Sequence, residues 1–199
     1  DECGDGSIGG GSRDDRGDGV RTVNEAAVRE RGRVVAVCSS PQGGVPKYRR
    51  LVIEVGPDGV VGDYHAGPVN RHKKRGDPEP NTRQLTIVAQ EVLDEVNETL
   101  GIQLEPGFLG ENLTVEGLGD LSDLEPGDRL LIGASVVLEV TAQNKPCSTV
   151  GVYHPQLVKA LYGRRGVCAV VLRTGIVQPG DPILVERRAA QPFAACERS

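Results

Sequence analysis

Cys147 ends the phrase "TAQNKPC", two residues after Lys145 and directly after Pro146. Those residue types in that order suit thiolate chemistry. Proline fixes the backbone and donates no hydrogen bond. In extended backbone, side chains two residues apart share a face, which places Lys145 on the side of Cys147. A neighbouring ammonium favours the thiolate, the form of cysteine that attacks an electrophile or binds a metal. These residues alone leave three readings open: a working thiol, a metal ligand, or the small buried hydrophobe that free cysteines usually become.

Two further constellations carry polar chemistry. In "GVVGDYHAG", Asp63 and His65 stand between Gly62 and Gly67. They read either as a satisfied structural pair or as part of a ligand pocket. The following loop holds Arg71, His72, Lys73, Lys74 and Arg75, either a solvated surface run or a rim that attracts an anion. In "PGFLGENLTV", Gly107 and Gly110 permit close backbone approach, and Glu111 and Asn112 add hydrogen-bonding side chains at a strand start. That segment also reads as an ordinary turn. Zinc is disfavoured, because Cys147, His154, His65, His72 and Cys168 form no C-x-x-C or H-x-x-x-H pair. Neither a nucleophile elbow nor a P-loop is present in the sequence.

The elements that must position these residues are short. Val34–Val37 is a β-branched run that reads as a buried strand, with Cys38 packed beside it. Leu51–Val55 reads as a strand and 56–59 as a turn. Leu85 and Ile87 suggest a short strand. Val88, Val92, Val96 and Leu100 then recur every four residues on one helical face, with Gly101 as the C-cap. "EPGDRLLIG" and "QPGDPILVE" each set Pro-Gly-Asp turn geometry before an apolar strand. "VVLEVTAQ" and "GVCAVVLRTG" are further strands, the second making Cys168 a core residue. "HPQLVKALYG" is a short helix, so His154 starts that helix rather than joining a site. The pattern predicts a β-rich α+β fold, a mostly antiparallel β-barrel with a few short helices. Residues 1–32 read as a weakly ordered tail, with weak helical character over 24–31. The domain is expected to run 33–188, with a second tail at 189–199. The two RGD tripeptides carry no adhesion signal, and Cys3 and Cys196 are expected to do nothing.

Composition narrows the classes. The 199 residues include 27 glycines and 13 prolines, which favours short elements and tight turns over a helical bundle. A net charge of -5 and 3% aromatics argue against a nucleic-acid partner. No apolar run approaches the ~20 residues that span a bilayer, and no secretory h-region opens the chain. Five widely spaced cysteines make a poor disulfide framework and point to a reducing, cytoplasmic setting. The chain begins at Asp1 rather than Met, which leaves room for an upstream region.

Taken in order, "GVVGDYHAG", "TRQLTI", "PGFLGENLTVEGL", "LEPGDRLLIG", "LEVTAQNKPC" and "GVCAVVLRTGIVQPGD" resemble the MOSC domain, the C-terminal domain of molybdenum cofactor sulfurases, in a small stand-alone form. The resemblance implies a barrel and an essential cysteine, matched here by Cys147. In such proteins that cysteine is thought to carry sulfur as a persulfide or to ligate molybdenum. It implies a pocket built from His65, Arg83, Glu111, Asn112 and Lys145, with Arg83 suited to the phosphate of a molybdopterin. It also implies a molybdenum cofactor, and a cysteine desulfurase as sulfur donor, since this sequence has no pyridoxal-phosphate domain of its own. Three functions follow: a sulfur-transfer or molybdenum-cofactor enzyme, a non-catalytic sulfur or cofactor carrier, or a structural β-domain with an inert cysteine.

Overall fold

The computed structural model describes residues 30–71 and 76–188. The chain runs through β1 (Glu30–Ser39), β2 (Tyr48–Arg50), β3 (Ile53–Gly56), β4 (Gly59–Val60) and β5 (Leu85–Ala89), then helix α1 (Gln90–Leu100). After it come β6 (Leu113–Glu116), β7 (Arg129–Ile132), β8 (Val136–Gln143) and a 3-10 turn at Ser148–Val152. Helix α2 (Leu157–Ala160), β9 (Val167–Arg173), β10 (Gly175–Val177) and β11 (Pro182–Glu186) complete the described fold.

The main sheet runs β11-β7-β8-β9-β5-β6-β1-β2, and an added β11–β1 pairing closes it into a barrel with β2 outside the ring. Closure leaves the ring strands without free edges, which would otherwise invite pairing with another chain. Strand β1 serves both partners in turn: Glu30–Arg33 pair with β11, and the stretch from Arg33 to Val37 pairs with β6. A bulge between Val34 and Ala36 re-aims the strand. All ring pairings are antiparallel except β5–β6, which α1 connects as a crossover. A smaller sheet, β10-β3-β4, flanks the barrel.

The interior is filled by alternating apolar residues, among them Leu85, Ile87, Leu113, Leu130, Ile132, Leu138 and Ile183, all fully buried. Helix α1 covers part of this core with Val92, Leu93 and Val96. Gly101 adopts the left-handed conformation (φ 65°) and its N–H donates to Asn97 O, the expected C-cap. The architecture is therefore the β-rich α+β barrel that the sequence pattern predicts.

Several local expectations change. Val88 belongs to β5, where it pairs with Thr114, so the helical face begins at Val92. Tertiary pairing overrides a four-residue repeat that spans a strand and a helix. The expected strand over Leu51–Val55 starts at Ile53, because Leu51 is 92% exposed at a bend. Strand β1 begins at Glu30, ahead of its apolar run, since pairing with β11 extends it. Among the described residues no helix is long and apolar enough to cross a membrane.

Candidate functional site

A cavity of about 800 Å³ opens where six segments converge. It is lined by the loop at 43–45, by Tyr64, His65 and Arg71, and by Arg83 and Thr86 around the start of β5. Leu109, Gly110 and Asn112 precede β6, residues 144–147 follow β8, and Thr149 and Arg165 complete the wall. This volume lies within the ~300–1,000 Å³ range of small-molecule and cofactor pockets. Arg71, Arg83, Lys145 and Arg165 bring four cationic side chains to it, and no carboxylate is among its lining residues. A chain of net charge -5 thus presents a cationic lining in this cavity.

Cys147 leaves the end of β8 in extended backbone (φ -121°, ψ 165°) and is solvent-exposed. Arg165 lies just before β9, the antiparallel neighbour of β8. Its Nη1 donates to Lys145 O at 3.0 Å and contacts Cys147 Sγ at 3.5 Å, and its Nη2 donates to Leu109 O at 2.8 Å. Partial burial pushes the thiol upward, but hydrogen bonds from Thr149 and the Arg165 charge outweigh it and hold Cys147 below the ordinary thiol value. The cation at the sulfur is therefore Arg165. Lys145 lines the cavity together with its neighbours Asn144 and Pro146, while its carbonyl anchors Arg165. The fixed, always-charged guanidinium fork makes this a different device from a mobile ammonium.

Arg83 lines the cavity and donates to Asn144 Oδ1 at 2.8 Å. Asn144 is itself fixed by its backbone N–H to Gly166 O at 2.8 Å. The Nε atoms of Arg83 and Arg165 are closed off and have no partner among the described residues. Arg71, also at the cavity, donates to Tyr64 O at 2.8 Å and lies over the Tyr64 ring at 5.2 Å. The first cation of the basic run thus reaches the rim, and residues 72–75 lie outside the described residues.

His65 lines the cavity and is set by Asp63, whose Oδ1 accepts the His65 backbone N–H at 3.0 Å. Asp63 Oδ2 also accepts Ser40 N–H at 3.1 Å, and Lys47 Nζ donates to Oδ1 at 2.8 Å. Burial opposes ionisation of Asp63, yet the His65 ring, the Lys47 ammonium and the His65 N–H hold its carboxyl well below the usual range. Asp63 thus supports the loop from behind, and His65 lines the cavity.

Glu111 and Asn112 divide differently. Glu111 does not line the cavity and is fully buried. Its carboxylate accepts N–H from Gly107 (2.6 Å) and Leu109 (3.1 Å) and the Thr114 hydroxyl (3.1 Å). It folds the glycine loop that forms the wall, while burial pushes its carboxyl upward. Asn112 reaches the lining, but its side chain links β5 to β1: Oδ1 accepts Thr86 N–H at 3.3 Å and Nδ2 donates to Cys38 O at 3.2 Å. Gly107 (φ 95°) is needed there, since a Cβ would sit 2.3 Å from Lys47 O.

The other described cysteines are core. Cys38 and Cys168 are fully buried, and burial first of all pushes the Cys38 thiol up to about 12. His154 is not at the cavity; its ring accepts Gln156 N–H at 3.2 Å, ahead of α2. Cys3 and Cys196 lie outside the described residues. Among the described residues no group of three or more His, Cys, Asp or Glu side chains is arranged to hold a metal ion. Sequence reasoning missed Arg165, Asn144 and Lys47. The only local signal for Arg165 was a pair of arginines held between Gly163 and Gly166 before a buried strand.

Residues 62–184, which carry most of this site, match the MOSC domain. The chain belongs to the MOSC domain family. A Bacillus subtilis relative, YuaD, named for metal-sulfur cluster biosynthesis, is 32% identical over 148 residues, covering 64% of this chain and 76% of YuaD. The crystal structure of B. subtilis YuaD superposes with a TM-score of 0.72 at 25% identity, over 80% of this chain and 98% of that one. The YiiM structure from Geobacillus stearothermophilus shares the fold at a TM-score of 0.58 and 22% identity, over 80% and 77% of the two chains. In this MOSC chain the matched span includes Asp63, His65, Arg83, Cys147 and Arg165 and leaves out Lys47.

Proposed function

We propose that this MOSC protein handles sulfur through the Cys147 thiolate, beside an anionic ligand seated in the cavity. The observation that supports it is the meeting of one open thiol with four cationic side chains, and no lining carboxylate, in a single cavity. A lowered thiol holds more of its population as thiolate, the nucleophilic form. It would attack the outer sulfur of a persulfide presented by a cysteine desulfurase. The donor's S–S bond breaks, the donor cysteine leaves as thiolate, and Cys147 becomes the persulfide. The three described cysteines are free thiols, which suits the reducing, cytoplasmic setting such chemistry needs.

The site also fits the molybdenum cofactor that the family resemblance implies. Cys147 offers one soft ligand, and Arg71, Arg83 and Lys145 offer a wall for a phosphate. The partnerless Arg83 Nε beside Asn144 is consistent with a polar guest. When bound, that group supplies redox and atom-transfer chemistry, while this chain binds, orients and shields it.

Intact mass after incubation with a cysteine desulfurase and cysteine tests the first reading. The expected result is one added sulfur, about 32 Da, mapped to Cys147 and lost on reduction. Cys147→Ser takes up none. A wild-type chain that accepts no sulfur overturns it. Elemental analysis of the purified protein for molybdenum tests the second reading, and turnover of a small acceptor separates enzyme from carrier.

A further inference from the structure

Arg165 ties together two segments that line the site. It is only 7% exposed, and its two terminal nitrogens bind three partners from two different loops: Leu109 O on one wall, Lys145 O and Cys147 Sγ on the other. Its backbone is equally constrained. Gly166, the next residue, accepts Asn144 N–H and approaches Ile87 O so closely that a Cβ would lie 1.9 Å away. The guanidinium cannot swing out to greet a ligand without breaking both loops.

We infer that Arg165 is the positioning residue for Cys147: it holds the sulfur against the cavity wall and supplies the permanent counter-charge for its anionic form. This rests on the sulfur-handling reading for its purpose, but not for its test. Arginine keeps its proton under all protein conditions, so it acts as fixed charge rather than as an acid. Thr149 adds hydrogen bonds to the same sulfur. A thiolate so held is a better leaving group and a weaker intrinsic nucleophile, because nucleophilicity falls with basicity. That balance suits a site that must both take up sulfur and give it away.

The test is the pH profile of thiol–disulfide exchange with a neutral dipyridyl disulfide, in wild-type, Arg165→Met and Arg165→Gln proteins. Cys147→Ser serves as the blank for other thiols, and urea unfolding checks the fold. For a midpoint raised by about one pH unit, a tenfold loss of thiolate is partly offset by nucleophilicity. The expected result is thus a rate about threefold lower below the midpoint and a plateau about threefold higher above it. A purely structural Arg165 would leave midpoint and plateau unchanged in any variant that folds, and that result overturns the inference. So does a wild-type midpoint no lower than that of a cysteine in an unstructured peptide, a measurement that needs no variant. A shifted midpoint without sulfur uptake by wild type keeps Arg165 and removes the sulfur reading; uptake with an unshifted midpoint does the reverse.

Discussion

Lys47 Nζ sits 2.8 Å from Asp63 Oδ1, and both side chains are closed to solvent. The pair lies behind His65, and Asp63 holds the His65 and Ser40 backbone N–H groups as well. Removing one member of a buried ion pair leaves the other uncompensated, at roughly 3–5 kcal/mol. Lys47→Met is therefore expected to lose about 3 kcal/mol in urea unfolding at pH 7. Asp63 is held below its unfolded value, so its contribution is complete above about pH 4 and drains away as pH falls toward the folded value. Lys47→Met has less of it to lose, and the stability gap to wild type narrows as pH falls below about 4. A gap that stays constant over that range would show the ion pair carries no such linkage.

Thiol accessibility separates the three described cysteines. Cys147 is exposed, while Cys38 and Cys168 are buried with thiols pushed upward, the first to about 12. In native protein at pH 8, peptide mapping after a short thiol-reagent pulse should find Cys147 modified and Cys38 and Cys168 intact. Guanidinium should expose all three. A Cys147 that resists until unfolding would favour the inert-cysteine alternative and end the thiolate reading.

Barrel strands were legible where β-branched runs alternate or are fully buried. "VVLEVTAQ" appears as β8 over the same residues, and the Pro-Gly-Asp phrases do precede β7 and β11. Strands β2 and β10 are three residues each, too short to show a period, and the β1–β11 closure joins residues about 150 apart that no local pattern connects. The site divides for the same reason. Cys147 stood out through Pro146 and the end of a strand. Arg165 lies 18 residues further on and meets the sulfur only because β8 and β9 pair antiparallel. Glu111 was visible as a polar residue at a strand start, but the sequence does not reveal whether such a residue faces a ligand or its own loop.

Glu111 faces its own loop, and that makes a distinct prediction. Glu111→Gln keeps the shape but replaces one acceptor oxygen with an NH₂ aimed at buried donors of Gly107, Leu109 or Thr114. An unsatisfied buried group costs about 1–3 kcal/mol, so a loss of about 2 kcal/mol in urea unfolding is expected. The Cys147 exchange midpoint should hold in the folded fraction, because Thr149 and Arg165, not Glu111, are the leading groups that lower that thiol.

Two glycines with the same hand of backbone should respond differently to alanine. Gly101→Ala meets no atom within 4 Å and pays only for the left-handed conformation, on the order of 1 kcal/mol. Gly166→Ala drives a Cβ to 1.9 Å from Ile87 O at φ 85°, where backbone must move, and a loss of 3 kcal/mol or more is the order of magnitude expected. Thermal unfolding ranks the two. Equal effects would mean that β9 can shift away from β5 at no cost, and the support claimed for Arg165 would fall with it.

Arg83 decides whether the cavity prefers anions. Its Nη2 is committed to Asn144, while Arg71 and Lys145 line the same cavity. An anion in the cavity would gain charge-assisted hydrogen bonds and would also obstruct the thiol at its edge. Inorganic phosphate should therefore raise the unfolding temperature by mass action and slow modification of Cys147 by a neutral disulfide. Both effects should weaken with added chloride, as expected for charges at an open cavity. In Arg83→Met they should fall together, by several-fold in the phosphate concentration required, while modification without phosphate stays near the wild-type rate. Phosphate protection that survives in Arg83→Met would move the anion site to Arg71 and Lys145. No protection in wild type at any phosphate concentration would leave the cationic wall without an anionic guest.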